Sequence, residues 1–113
     1  MTKQNEVNKG IPFDLKENIA YADGSVISKM LINKDTGNIT LFSFDEGQGL
    51  SEHTAPFDAA VYIIDGKALI TIGGVPTTVN AGEMIIMPAH VTHALLAETK
   101  FKMLLVMIRG EAS

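Results

Sequence analysis

The chain lacks cysteine, any long apolar run and any cluster of basic residues. Without cysteine, disulfide bonds and thiolate metal sites are excluded, and a reducing compartment is favoured. No apolar run approaches the roughly 18–20 residues that would span a bilayer. The polar start, MTKQNEVNKG, also lacks the apolar core of a signal peptide. We therefore expect a soluble, cytoplasmic protein with no membrane partner.

Charge and composition further restrict the class of protein. Nine Lys and Arg residues are scattered among thirteen Asp and Glu, which gives a net charge of −4. Nucleic acid would require a basic face, so we expect no nucleic-acid partner. A hydrophobic fraction of 46% with 19% charged residues indicates a folded chain rather than a disordered one. The 113 residues fit one domain with its own core.

Short runs rich in Val, Ile, Leu, Phe and Thr recur from Ser25 onward, and turn residues separate them. No segment gives a persuasive helix, so about eight or nine short strands indicate an all-β sandwich or barrel. The segment 35–37 predicts one hairpin. Asp65-Gly66 predicts another, because both central residues of a type I′ turn need positive φ. Gly73-Gly74 and the segment 80–82 mark further turns.

The domain boundaries follow from the same patterns. Residues 1–20 are mixed and polar, and we expect an N-terminal arm or edge strand there, followed by one barrel domain over residues 21–113. Pro56 should interrupt the strand predicted around residues 50–55. Flexible thioethers fill irregular gaps in a core. We therefore interpret four methionines as core residues, namely Met84, Met87, Met103 and Met107.

Two histidines, His53 and His93, occur at spacings that resemble the two motifs of the cupin superfamily. The first motif is Gly, five residues, His-x-His, three or four residues, Glu, six residues and Gly. The second is Gly, five residues, Pro-x-Gly, two residues, His, three residues and Asn. The matching residues are Gly47, His53 and Gly66 in the first motif, and Gly82, Pro88 and His93 in the second. The resemblance implies a double-stranded β-helix, a jelly-roll barrel of two antiparallel sheets.

The chain also departs from both motifs. A full cupin site is similar to three His and one Glu around Fe, Mn, Ni or Zn, and only His53 and His93 of those four ligands are present. The resemblance therefore implies a partial divalent-metal site of low occupancy. The replaced positions predict a roomier, more apolar ligand cavity that includes Tyr62. The departures are Ala55 for the second His, Ala59 for Glu, His90 for Gly and Ala97 for Asn.

A third ligand would strengthen the pair, because tight divalent sites usually use three or more protein ligands. His90 is one candidate, since it lies on the loop after Pro88 and three residues before His93. Asp58 is the other, and it turns inward only if Pro56 introduces a bulge that shifts the strand register. Both residues also fit exposed roles, His90 in a turn and Asp58 at a strand end.

Three functions remain open. The first is a barrel that binds a small molecule beside a weak metal site. The second is a metal-dependent dioxygenase, isomerase or decarboxylase that uses His90 or Asp58 as third ligand. The third is a metal-free epimerase or isomerase of nucleotide sugars with a His base. It ranks last because Lys29 and Lys67 are the few candidates to hold a pyrophosphate.

The resemblance also predicts an assembly. Many small cupins pair through an exchanged N-terminal strand, and the apolar segment 11–15, IPFDL, together with the edge strands fits that picture. We therefore expect a homodimer.

Overall fold

The computed structural model describes residues 2–3 and 7–109, which form ten strands and one short 3-10 helix at Lys16–Asn18. Within this part of the chain no helix is long and apolar enough to cross a membrane. The strands are β1 (Thr2–Lys3), β2 (Val26–Lys34), β3 (Gly37–Phe44), β4 (Gly49–His53), β5 (Ala59–Asp65), β6 (Lys67–Ile72), β7 (Val75–Asn80), β8 (Met84–Met87), β9 (His93–Leu96) and β10 (Phe101–Ile108).

The strands form two sheets that face each other. The larger sheet has the order β1-β2-β3-β10-β5-β8 and the smaller one the order β4-β9-β6-β7. Every pair is antiparallel except β1 with β2, which is parallel. The all-β jelly-roll prediction is confirmed. The predicted hairpin at residues 35–37 is confirmed too, since Lys34 pairs with Gly37.

The second predicted hairpin is wrong. Strands β5 and β6 flank Asp65-Gly66 but belong to different sheets, so the chain crosses between sheets there instead of folding back on its neighbour. Gly66 has φ 74°, and a Cβ at this position would collide with the carbonyl oxygen of Lys100. Positive φ is confirmed at Gly66 but not at Asp65, so the predicted type I′ turn does not form. The chain passes from one sheet to the other here because strand pairing depends on distant partners.

The main core lies between the two sheets. Period-two alternation directs every second residue of β5 inward, and Ala59, Val61 and Ile63 are 5%, 0% and 0% exposed. The rings of Phe44 and Phe101 stack in this core with centroids 4.6 Å apart. The other members are Ala68, Ile70, Val79, Met87, Leu95, Ala97, Met103 and Leu105.

A second apolar cluster forms on the outer face of the larger sheet. There Ile19 packs with Ile27, Leu31 and Leu41, and residues of the segment 7–22 cover them. Polar contacts fasten this segment. The Tyr21 hydroxyl donates a 2.7 Å hydrogen bond to Asp65 Oδ2, and Lys102 Nζ donates one of 2.6 Å to the carbonyl oxygen of Lys16. Burial and then the hydrogen bond to Asp65 raise the pKa of Tyr21.

The rest of that outer face is apolar and uncovered. Cross-strand register aligns Tyr62 between Leu104 and Met84, and Ala60 between Val106 and Ile86. Met84 is 56% exposed, so the prediction of a core position is wrong for this methionine, although Met87 and Met103 are buried and Met107 packs against the core. We call the uncovered surface the β8 face; its residues are Ala60, Tyr62, Met84, Ile86, Val106 and Ile108.

Candidate functional site

His53 and His93 lie directly opposite each other on neighbouring strands. His53 ends β4, His93 begins β9, and the two are Cα partners in the antiparallel register. Residues paired in this way project to the same face of a sheet. The predicted meeting of the two histidines is therefore produced by one cross-strand pair. His93 is 5% exposed, whereas His53 is exposed at the rim.

The two imidazoles contact each other through the same ring atom. Their Nε2 atoms are 3.0 Å apart, and the ring planes meet at 69°. Each Nδ1 faces a main-chain carbonyl oxygen, at 2.7 Å from Ser51 for His53 and at 3.4 Å from Val91 for His93. A carbonyl oxygen only accepts hydrogen bonds, so His53 carries its proton on Nδ1. Its Nε2 lone pair therefore points at His93.

His93 can adopt either of two neutral tautomers in this arrangement. If His93 keeps its proton on Nε2, it donates to His53 and gives up the bond to Val91. If it donates from Nδ1 to Val91, two Nε2 lone pairs face each other, and a cation between them removes the repulsion. Metal-binding histidines in proteins usually donate the second ring N–H to a carbonyl or carboxylate in this manner. The Nδ1 contacts of both residues are therefore those that metal-binding histidines make.

The spacing of the nitrogens is compatible with an ion. Two nitrogens bound at about 2.1 Å lie roughly 3.0 Å apart when they subtend a right angle, and roughly 3.4 Å apart in a tetrahedral site. The observed 3.0 Å is close to the first value. Burial, and then the neighbouring His53, lower the pKa of His93. His93 is therefore neutral near pH 7, which is the form that binds metals.

The expected third ligand does not join this pair. Across residues 7–109 no group of three His, Asp or Glu side chains is close enough to hold a metal ion. His90 is exposed on its turn with φ 65°, and its backbone N–H donates to the carbonyl oxygen of Ala55 at 2.8 Å. Its assignment as a metal ligand is thus a correction: the turn presents this side chain to solvent.

Asp58 is held elsewhere as well. Its Oδ1 accepts a hydrogen bond of 2.8 Å from the backbone N–H of Ala89, and the side chain is exposed. Pro56 and Asp58 lie in the bend between β4 and β5, so no bulge within a strand turns the carboxylate inward. The donor set of a tight metal centre is therefore not met within residues 7–109, because two of the expected ligand positions are alanine and no carboxylate in this range replaces them.

A small, partly open apolar cavity of about 70 Å³ lies beside the histidines. Ala55 and Ala59 line it, as predicted, but Tyr62 does not. Residues 59 and 62 are three apart on one strand, so they point to opposite faces, and Tyr62 belongs to the β8 face. The cavity is apolar as predicted but not roomy. The lining consists of Leu50, His53, Ala55, Phe57, Ala59, Met87, His93, Leu95, Met103, Leu105 and Met107.

Methionines occupy the space beside Ala59, an arrangement that the sequence did not predict. In the register, Ala59 pairs with Met107 on one side and with Met87 on the other, so two thioethers flank the small residue. The signal in the sequence was weak, because Met87 and Met107 lie 20 positions apart and their pairing depends on the order of the strands.

Comparison with known proteins agrees with the fold and the motifs. A conserved protein of unknown function, SPY1581 from Streptococcus pyogenes, is 37% identical over 99% of this chain and 98% of its own, with a TM-score of 0.90. A cupin 2 conserved barrel domain protein from Leptotrichia buccalis is 39% identical over 85% of this chain and 47% of its own (TM-score 0.82).

A cupin superfamily protein from Desulfitobacterium hafniense is 29% identical over 92% of this chain and 95% of its own, with a TM-score of 0.86. No curated protein matches the sequence significantly. The model of the cupin domain matches residues 40–109, which include both histidines and the strands that carry them. The chain therefore belongs to the cupin family.

Proposed function

We propose that this cupin binds a small polar molecule at the mouth of its barrel, with His53 and His93 as the polar contacts, and that the same pair holds a divalent cation only weakly. The observation that carries the proposal is the Nε2 contact of 3.0 Å between one exposed and one buried imidazole, each with its Nδ1 facing a carbonyl oxygen. Such a pair offers two oriented nitrogens to a ligand or an ion.

The size of the cavity supports a ligand at the mouth rather than inside. A volume of about 70 Å³ holds about two water molecules, each taking roughly 30 Å³. Cavities that enclose drug-sized ligands measure about 300–1,000 Å³. The interior is thus too small for such a ligand. The exposed His53 leaves the outer side of the pair open to solvent.

The missing third donor argues for weak divalent binding. Two neutral imidazoles provide half of the usual tetrahedral set, and the remaining positions on an ion would be filled by water or by the small molecule itself. A metal bound there would act as a Lewis acid toward that molecule. A metal-dependent enzyme of this type would need His90 or Asp58 beside the pair, and neither residue joins it.

Titration with Zn²⁺ and Ni²⁺ tests the proposal. We expect one weak site per chain that dialysis empties, and at least a tenfold lower affinity in His53→Ala. The matched control is His90→Ala, which removes an exposed imidazole and should leave the affinity unchanged. Stoichiometric iron or manganese that survives dialysis and is lost in His53→Ala would contradict the proposal and favour an enzyme.

We also propose that two copies associate through the β8 face. Met84, Ile86 and Ile108 are 56%, 53% and 69% exposed there, and contiguous exposed apolar patches often mark protein–protein interfaces. Hollows of about 470 and 350 Å³ flank Ile108. Asp58 borders one hollow and Lys34 the other, so a two-fold axis can bring opposite charges together.

Sedimentation equilibrium tests this association. We expect twice the chain mass of 12.2 kDa and a shift toward monomer in Ile108→Asp. A matched control is Val75→Asp, at a residue 64% exposed on the smaller sheet. A mass of one chain for the unchanged protein would refute the dimer. In the structure, β1 pairs with β2 of its own chain. Exchange of the N-terminal strand between two copies stays a prediction.

A further inference from the structure

Three methionines line the same small cavity as the histidine pair. Met87 is 4% and Met103 1% exposed, and Met107 is partly buried against the core. All three come from the larger sheet, whereas His53 and His93 come from the smaller one. Two imidazoles and three thioethers therefore border about 70 Å³ of space.

The sheet register explains how the thioethers come together. Met107 on β10 and Met87 on β8 are both Cα partners of Ala59 on β5, so the three residues form one row across the sheet. Side chains in such a row lie about 4.5–5.5 Å apart at Cβ. Ala59 is short, so its own side chain leaves space between the flanking methionines. A carboxylate that binds a hard cation at this site would have to occupy the position of Ala59.

The donors that border the cavity are soft or intermediate and carry no charge. Thioethers and imidazoles suit Cu(I), whereas Mg²⁺, Ca²⁺ and Mn²⁺ prefer carboxylate and carbonyl oxygens. The charge of the ion also favours a monovalent cation. The free energy of moving an ion from water into an apolar site rises with the square of its charge, so a monovalent cation is buried at far lower cost than a divalent one.

We infer that this site takes a soft monovalent cation, Cu(I) or its redox-inert analogue Ag(I), through both imidazoles and at least one thioether of Met87, Met103 or Met107. The inference rests on the proposed role of His53 and His93 as ligands, and it adds the inner methionines and the class of ion. With the cation bound to both Nε2 atoms, each neutral imidazole carries its one proton on Nδ1 and donates it to the carbonyl oxygen of Ser51 or Val91.

The experiment uses Ag(I) in air and Cu(I) under anaerobic reducing conditions, each in competition with a chromogenic chelator, and Zn²⁺ for comparison. The variants are Met87→Leu, Met103→Leu and Met107→Leu, singly and together. Leu for Met keeps the volume, so these proteins should fold. The matched control is Met84→Leu, on the same strand as Met87 but exposed on the β8 face.

We expect Cu(I) and Ag(I) to bind at least 100-fold more tightly than Zn²⁺. The triple variant should lose at least tenfold in Cu(I) and Ag(I) affinity but keep its affinity for Zn²⁺, and Met84→Leu should keep the affinity of the unchanged protein for each of the three ions. Ag(I) should also shift the ε-methyl NMR signal of at least one inner methionine and leave that of Met84 in place.

Two results would overturn the inference. One is a Cu(I) affinity that none of the inner Met→Leu changes alters. The other is Cu(I) binding no tighter than that of Zn²⁺. In either case a Zn²⁺ affinity that still falls in His53→Ala leaves the proposed function standing. Zn²⁺ binding that is indifferent to His53→Ala would remove the proposed function together with the inference.

Discussion

Replacing Ala59 with Glu should add a third ligand to the weak cation site at His53 and His93. The stability of the variant should then depend on bound zinc. Ala59 is 5% exposed and lines the cavity with both histidines. A glutamate there has no charged partner in the apoprotein. It either stays ionised in an apolar cavity or takes up a proton. Keeping this glutamate protonated at pH 7, well above its free pKa near 4.3, costs roughly 3.7 kcal/mol of folding stability. Ionisation therefore contributes no more than this amount to the destabilisation. Crowding in the small cavity adds to this destabilisation.

The expected cost sets the size of the thermal shift. A loss of about 3.7 kcal/mol lowers Tm by roughly 15 °C in a domain of this length. With metal, the same carboxylate becomes a third ligand beside His53 and His93. Zn²⁺ at 100 times its Kd then restores about 2.7 kcal/mol. Differential scanning fluorimetry with a zinc series and a chelator control measures both effects.

The neighbouring residue supplies the control. Ala60 lies one position along β5 and therefore points to the opposite face, in the row with Val106 and Ile86. Ala60→Glu should show no response to zinc. The new carboxylate is not a third ligand if zinc raises the Tm of Ala59→Glu by no more than that of the unchanged protein, or if Ala60→Glu responds equally.

Three further predictions concern titration and backbone strain. Because the pKa of His93 is lowered from 6.5 in the folded state, the unfolded chain binds the proton first on acidification. The free energy of unfolding should therefore fall as the pH drops through about 6.5, and His93→Gln should flatten this part of a series of urea melts from pH 7.5 to 5; an equal slope would contradict the assignment. Tyr21→Phe removes the hydrogen bond to Asp65 and should cost about 1 kcal/mol at pH 8. Since the pKa of Tyr21 is raised, the unchanged protein should lose stability above about pH 10 while Tyr21→Phe does not; parallel loss in urea melts at pH 8 and 10.5 would refute this. His90→Gly relieves a left-handed backbone and should raise the free energy of unfolding by up to about 1 kcal/mol, with an unchanged Zn²⁺ affinity; a tenfold weaker affinity would identify His90 as a ligand after all.

Local patterns predicted most of the architecture. The strands from residue 25 onward were predicted by composition and turn residues, and β4 differs only in ending at His53 rather than near Ala55. The motif spacing also predicted that His53 and His93 share a cavity, as the Nε2 contact confirms. These features depend on short-range signals, either alternation along a strand or fixed distances between glycines, prolines and histidines.

The wrong predictions concern features that are determined by contacts between residues far apart in the sequence. Asp65-Gly66 has the residues of a hairpin turn, but whether two flanking strands pair or separate into different sheets is set by β8, β9 and β10. Placing both Ala59 and Tyr62 in the cavity ignored the parity of β5. Asp58 could not be placed from the sequence, because the backbone N–H of Ala89, 31 residues away, fixes its carboxylate.

The position of β10 has a consequence for how the chain folds. Although it is the last described strand along the sequence, it lies between β3 and β5 in the larger sheet. Until residues 101–108 have been synthesised, the two flanking parts of that sheet have no common neighbour, and the cavity has one wall missing. Contacts of long sequence separation slow folding. Chains interrupted before residue 101 would expose unpaired strand edges, which are sites of aggregation.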